Sequence, residues 1–156
     1  MAGRIDAALA GLGLELPQAA APVAAYVPAV QSGTTLYVSG QLPAWNGERR
    51  FIGKVGQEFS TAEGKEAAKL CALNLLAQAK AALGGDLDRI TRVVKLGGFV
   101  NAGPDYHDHP AVINGASELM QAVFGEAGKH ARFAVGASSL PFNVAVEVDA
   151  VFEVAG

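Results

Sequence analysis

Hydrophobic positions along this chain change period several times, and each change marks an element. Val144, Val146, Val148 and Ala150 alternate with Ala145, Glu147, Asp149 and Val151, which predicts a strand near the C-terminus. Upstream, Arg132, Ala134 and Gly136 share one side of another alternating segment that begins at Ala131. Ser138 to Asn143, with Pro141, reads as a connection, so these two strands are expected to pair antiparallel. Parity then puts Arg132 and Glu147 on one face, opposite or diagonal to each other. Ala24 to Val30 and Thr35 to Gly40 predict two further strands around a turn at Gln31-Ser32-Gly33, and Ile90 to Val100 a longer one.

Spacings of three and four place Ala68, Cys71, Leu75, Ala79 and Leu83 on one stripe of a helix that opens at Thr61 and stops at Gly84-Gly85. Val112, Ala116, Leu119 and Val123 form the stripe of a second helix, ending near Gly125 or Gly128. Pro43 to Gly56 reads as a loop with its turn at Asn46-Gly47, and Asn101 to Pro110 as another loop. Arg4 to Leu12 reads as a short amphipathic helix. The segment faintly imitates a signal peptide, but Asp6 and Glu15 break that pattern.

Two helices on one side of a mixed sheet make an α+β, two-layer domain. The expectation is a single domain over residues 1–156, with residues 1–20 as an N-terminal extension. One sheet face then has no helix to cover it, although its alternating positions are largely apolar. With 51% hydrophobic and only 17% charged residues, the surface is lean for a monomer, so other subunits are expected to cover part of it. The net charge of −3 gives no electrostatic footprint for nucleic acid. No apolar run is long enough for a membrane span, and the lone Cys71 suits a reducing cytoplasm.

A guanidinium on an apolar strand is costly unless a carboxylate meets it, and for Arg132 that carboxylate is either Glu147 or part of a ligand. Tyr26 and Ser39 are hydrogen-bond donors suited to a small polar ligand, or ordinary structural residues. Gly40 permits close approach of backbone to a ligand, whereas Gln41 reads as structural. Asn114 serves either as a residue of the helix start or as a ligand contact. Trp45 is a candidate aromatic wall. His107 and His109 form an H-x-H without a third ligand at usable spacing, so no metal is expected, and Cys71 reads as core. No phosphate-binding loop, dinucleotide fingerprint or Ser-His-Asp arrangement is present.

Several of these residues together resemble the signature of the RidA/YjgF/UK114 family, the enamine/imine deaminases once called endoribonuclease L-PSP. Ala131-Arg132 is followed by Leu140-Pro141 eight residues after the arginine and by Val146-Glu147 with the glutamate fifteen after it. Tyr26 stands thirteen residues before Ser39-Gly40-Gln41, and Asn114 opens the second helix, so the resemblance runs from about Ala21 to Val154. Phe133-Ala134 departs from the family's usual pair after the arginine, which suggests an outlying branch.

The resemblance implies a chorismate-mutase-like fold and a homotrimer with its sheets packed inward and its ligand sites in the clefts between subunits. It implies hydrolysis of reactive 2-enamine/2-imine acids to 2-oxo acids and ammonia. Arg132 and Glu147 would be catalytic. Arg132 would hold the substrate carboxylate, while Tyr26, Ser39, Gly40 and Asn114 would shape the site. The partner is a small carboxylate, and no cofactor is needed because an imine is already electrophilic. The alternative is a non-catalytic or regulatory binder of small carboxylates on the same scaffold. A ribonuclease conflicts with the acidic charge.

Overall fold

Helix α1 (Arg4–Gly11) comes first, then strands β1 (Ala29–Ser32) and β2 (Thr35–Gln41) and a short pair, β3 (Ala44–Trp45) with β4 (Glu48–Arg49). Helix α2 (Thr61–Ala82), strand β5 (Ile90–Asn101), helix α3 (His109–Phe124) and strands β6 (Ala131–Ala137) and β7 (Val146–Val154) follow. The computed structural model describes residues 3–22 and 24–156, so Met1 and Ala2 of the expected extension lie outside the described residues.

Five strands form one mixed sheet in the order β1-β2-β7-β5-β6, and three helices complete an α+β fold. The expected antiparallel pairing of the two C-terminal strands does not occur. Strand β5 lies between them, antiparallel to β7 and parallel to β6. The cause is α3, which joins β5 to β6 as a crossover and so makes them parallel neighbours. The first strand is also shorter than expected, Ala29–Ser32 instead of Ala24–Val30. Pro22 and Pro28 cannot donate to a ladder, and regular pairing begins only after the second of them.

Cross-strand register separates the two faces of the sheet. Val38, Ala150, Leu96 and Arg132 lie in one row across β2, β7, β5 and β6, and the next row on the same face carries Val148, Gly98 and Ala134. This is the helix side: a side chain on Gly98 would run into Ile113 of α3. The opposite face carries Tyr37, Val151, Lys95 and Ala131 in one row and Glu147, Phe99 and Val135 in another. Among the described residues no helix covers that face, and Tyr37, Phe99 and Val135 stay 51%, 37% and 41% exposed there.

The helix layer is built as the periodicity predicts. Ala68, Cys71, Leu75, Ala79 and Leu83 of the first stripe are all buried, as are Val112, Ala116, Leu119 and Val123 of the second. Helix α2 opens at Thr61 as expected, with Ser60 as its cap in a reciprocal capping box with Glu63. At α1 the N-cap residue is Gly3, which has no side chain. The distant Asp88 carboxylate accepts from the Arg4 and Ile5 amides instead, each at 2.8 Å. Ile5 and Leu9 then join the common core.

Helices α2 and α3 approach so closely that a methyl group on Gly115 would collide with the Lys65 main-chain carbonyl. Gly115→Ala should therefore destabilise the protein by about 1–3 kcal/mol, since backbone cannot yield as a side chain can. Gly11, at the exposed end of α1, has open space around it, and Gly11→Ala should stabilise by up to about 1 kcal/mol. Denaturant melts of the two variants check both signs.

Candidate functional site

Strand β2 ends in a bulge that creates the centre of the site. Val38 pairs with Ala150 and Gln41 with Val148, so Ser39 and Gly40 oppose the single residue Asp149. The Ser39 amide and hydroxyl both donate to the Pro28 carbonyl, at 2.9 and 3.1 Å, which ties the bulge to the segment carrying Tyr26. Glu147 lies against Gly40, where any side chain would strike its carboxylate. A glycine is required here because the carboxylate occupies the volume a Cβ would need.

Glu147 is half-buried, and burial pushes its carboxyl above the ordinary glutamate value, with repulsion from Asp149 adding to the rise. Burial raises Asp149 as well, against the lowering effect of the Gly97 amide. Among the described residues neither carboxylate has a salt-bridge partner.

Tyr26, Ser39 and Gly40 line one cleft of about 220 Å³. Tyr26 stands in a bend, not in a strand, and is 48% exposed. Ala44, Gly47 and Arg49 of the β3–β4 pair form another side of the cleft, but among the described residues Trp45 does not line it. The expected aromatic wall is therefore absent from this cleft.

Arg132 and Asn114 belong to a second place. Arg132 lies on the helix side of the sheet and Glu147 on the open side, so the expected sharing of a face does not hold. Strands β7 and β5 separate β2 from β6, a distance of roughly 14 Å at about 4.8 Å per strand. Arg132 Nη1 donates to Ser117 Oγ at 3.1 Å and Nη2 to the Pro110 carbonyl at 3.2 Å. Asn114 sits on α3 four residues after Pro110 and three before Ser117, on the same stripe of the helix. No carboxylate pairs with Arg132 among the described residues, which removes the intrachain Arg132–Glu147 ion pair.

Ser117 and His130 are contributors that the periodicity concealed. Ser117 is buried, and its hydroxyl also meets His130 Nε2 at 2.8 Å, while His130 Nδ1 lies 2.6 Å from the Gly128 carbonyl. One arrangement satisfies every group: Nδ1–H donates to Gly128, the Ser117 hydroxyl donates to Nε2, and Arg132 donates to Ser117. A serine on the inward face of an apolar helix was the available signal.

In the other loop, Tyr106 bonds Thr61 through its hydroxyl at 2.6 Å and packs edge-on against His109. Among the described residues no three His, Cys, Asp or Glu side chains gather as a metal site would require. Cys71 is fully buried and donates weakly to the Val146 carbonyl at 3.5 Å. Burial pushes its thiol well above the usual cysteine value, so it is unsuited to act as a nucleophile.

Residues 6–154 match the family model described as "YjgF/chorismate_mutase-like, putative endoribonuclease". The chain is 51% identical to Protein TCP17 of Trypanosoma cruzi over 152 residues, covering 97% of this chain and 94% of that one. It is 28% identical to a 2-iminobutanoate/2-iminopropanoate deaminase of Dermatophagoides farinae over 138 residues, 88% of this chain and 92% of that one. Its fold superposes on the crystal structure of Atu1372 from Agrobacterium tumefaciens, a protein of unknown function, with a TM-score of 0.91 and 51% identity, covering 97% and 93% of the two chains. No helix is long and apolar enough to cross a membrane among the described residues.

The raised carboxyl of Glu147 gives a pH signature. Its folded-state pKa lies above the unfolded value of about 4.3, so folding favours the protonated form. The stability tied to that proton is complete below about pH 4 and is lost as pH rises through the folded value. The melting temperature should fall across this window, and Glu147→Gln should reduce the fall. An identical pH slope in the variant would contradict the assignment.

Proposed function

This chain belongs to the RidA/YjgF family, and from that premise we propose that it is a deaminase acting on reactive 2-enamine/2-imine acids. The observation that carries the reading is a mismatch of charge. Arg132 is a guanidinium with no carboxylate, and Glu147 is a desolvated carboxylate with no cation, among the described residues of the same chain. A substrate with an acid at one end and an electrophilic C=N at the other complements both.

In this reading Arg132 takes the substrate carboxylate in its planar fork, after exchanging one of its two present acceptors. Asn114, one helical turn from both of those acceptors, adds an amide to the same end. Glu147 accepts a proton from the water that attacks the imine carbon, a role suited to a carboxylate whose basicity burial has raised. A C–O bond forms and the proton passes from Glu147 to nitrogen; the hydroxyl proton of the resulting carbinolamine then follows it to nitrogen as the C–N bond breaks, which releases ammonia and a 2-oxo acid. Gly40 lies against Glu147 and shares its cleft with Tyr26, and no cofactor takes part. The deaminase activity named for the Dermatophagoides relative supports this chemistry.

Because a sheet separates Arg132 from Glu147, the reading joins the two ends across a subunit boundary. Tyr37, Phe99 and Val135 on the uncovered face supply an apolar surface for that contact. From the family resemblance we take the number as three, a homotrimer with a site in each cleft. We place it in the cytoplasm, where the buried thiol of Cys71 stays reduced.

Light scattering at micromolar concentration should give a trimer mass, and a monomer would overturn the assembly. Arg132→Ala should weaken binding of 2-oxo acids by at least about tenfold, since a hydrogen bond to a charged group contributes roughly 1.5–3 kcal/mol. Glu147→Gln should bind them normally yet lose hydrolysis. Normal binding without turnover in the parent protein would favour the non-catalytic binder instead.

A further inference from the structure

Behind Ser39 and Gly40, the cleft has a wall of primary amides. Asn74 and Gln78 of α2 border it, although they are only 2% and 5% exposed. Buried amides of this kind need every hydrogen placed. Asn74 Nδ2 donates to the Ala44 and Leu70 carbonyls at 2.7 and 2.9 Å. Gln78 Nε2 donates to the Ala20 carbonyl at 2.6 Å and to Gln41 Oε1 at 3.4 Å, and Gln41 Nε2 donates to the Ser39 carbonyl at 3.1 Å. These partners fix the orientation, because rotating either amide would set its oxygen against a carbonyl oxygen.

That accounting leaves two acceptors over. Asn74 Oδ1 and Gln78 Oε1 have no donor among the described residues. No fully enclosed side-chain nitrogen or oxygen lacks a partner among the described residues, and both Asn74 and Gln78 border the cleft. Its lining residues include no carboxylate but do include Arg49, so an ammonium group would meet a like charge without a counter-ion. The remaining lining is small and apolar, including Ala21, Pro22 and Ala44. About 220 Å³ is room for roughly seven waters at ~30 Å³ each, enough for a short side chain.

We propose that this cleft selects the substrate side chain, and that the side chain carries a neutral hydrogen-bond donor, a carboxamide or a hydroxyl, seated on the Gln78 and Asn74 oxygens. The proposal rests on the deaminase reading for the position of the reacting carbon beside Gly40. Gln78 is the specificity-determining residue, since its oxygen accepts no hydrogen bond among the described residues. An alkyl side chain of equal size leaves both acceptors desolvated and unpaired, which is the stronger form of discrimination.

Calorimetry with two 2-oxo acids tests this: 2-oxosuccinamate, whose side chain ends in a carboxamide, and its apolar isostere 4-methyl-2-oxopentanoate. The wild-type protein should bind the first at least about tenfold more tightly. Gln78→Leu should erase or reverse that preference while leaving the loss caused by Arg132→Ala intact for both acids. The wild-type comparison needs no variant, so it stands even if Gln78→Leu fails to fold. Equal affinity of the wild type for the two acids, with Arg132→Ala weakening both, overturns the side-chain proposal and leaves the carboxylate site standing. A preference for the carboxamide that survives in a folded Gln78→Leu protein overturns the role of Gln78. Affinities unchanged by Arg132→Ala overturn the carboxylate reading, and failure of the wild type to bind either acid overturns both.

Discussion

A five-stranded sheet has two faces, and among the described residues of this chain helices cover only one of them. The side chains of β5, β6 and β7 are divided accordingly. Arg132 shares its row with Leu96 and Ala150 beneath the helices, while Glu147 shares its row with Phe99 and Val135 on the uncovered face. Neither charged group can neutralise the other through the sheet, and each is left with a geometry suited to something outside the chain. The apolar open face and the unpaired charges are thus two consequences of the same layering. In the proposed assembly, a second copy that covers the face would also bring its own Arg132 or Glu147 toward the complementary group.

Much of this architecture was legible in the sequence. The helical stripes from Ala68 to Leu83 and from Val112 to Val123 became the buried sides of α2 and α3, because spacing of three and four has a single geometric meaning. The family signature led to the correct fold. Strand partnership was not legible from alternation alone, since a period of two says which residues share a face but not which strand lies alongside. The strand–helix–strand order of β5, α3 and β6 held that information, and the short Ser138–Asn143 connection pointed the wrong way. Pro28 likewise marked where β1 could begin, and Tyr26 before it belongs to a bend.

The candidate residues divide along the same line. Tyr26, Ser39 and Gly40 come together around one cleft with Glu147 pressed onto Gly40. Arg132 on β6 is held by Ser117, which His130 holds in turn, and Asn114 lies three residues before Ser117 on α3. The second pair of supports was hidden because Ser117 sits where the periodicity calls for an apolar residue, and His130 lies at a strand end where a solvated histidine is commonplace. The bulge at Ser39–Gly40, the collision space at Gly40 and the fully used amide hydrogens of Asn74 and Gln78 are properties of backbone register and packing. A sequence names the residues but not the volumes between them.

The central claim is that one working site is assembled from Glu147 of one subunit and Arg132 of another. Subunit complementation measures it directly. Arg132→Ala and Glu147→Gln proteins should each be inactive as pure assemblies, but refolding them together in equal amounts should create clefts with an intact Arg132 on one side and an intact Glu147 on the other. Random mixing in a ring of three gives such clefts about one time in four, so enamine hydrolysis should recover to roughly a quarter of the wild-type rate. Mixed assemblies that form but remain as inactive as either parent would contradict the account and place the chemistry within a single chain.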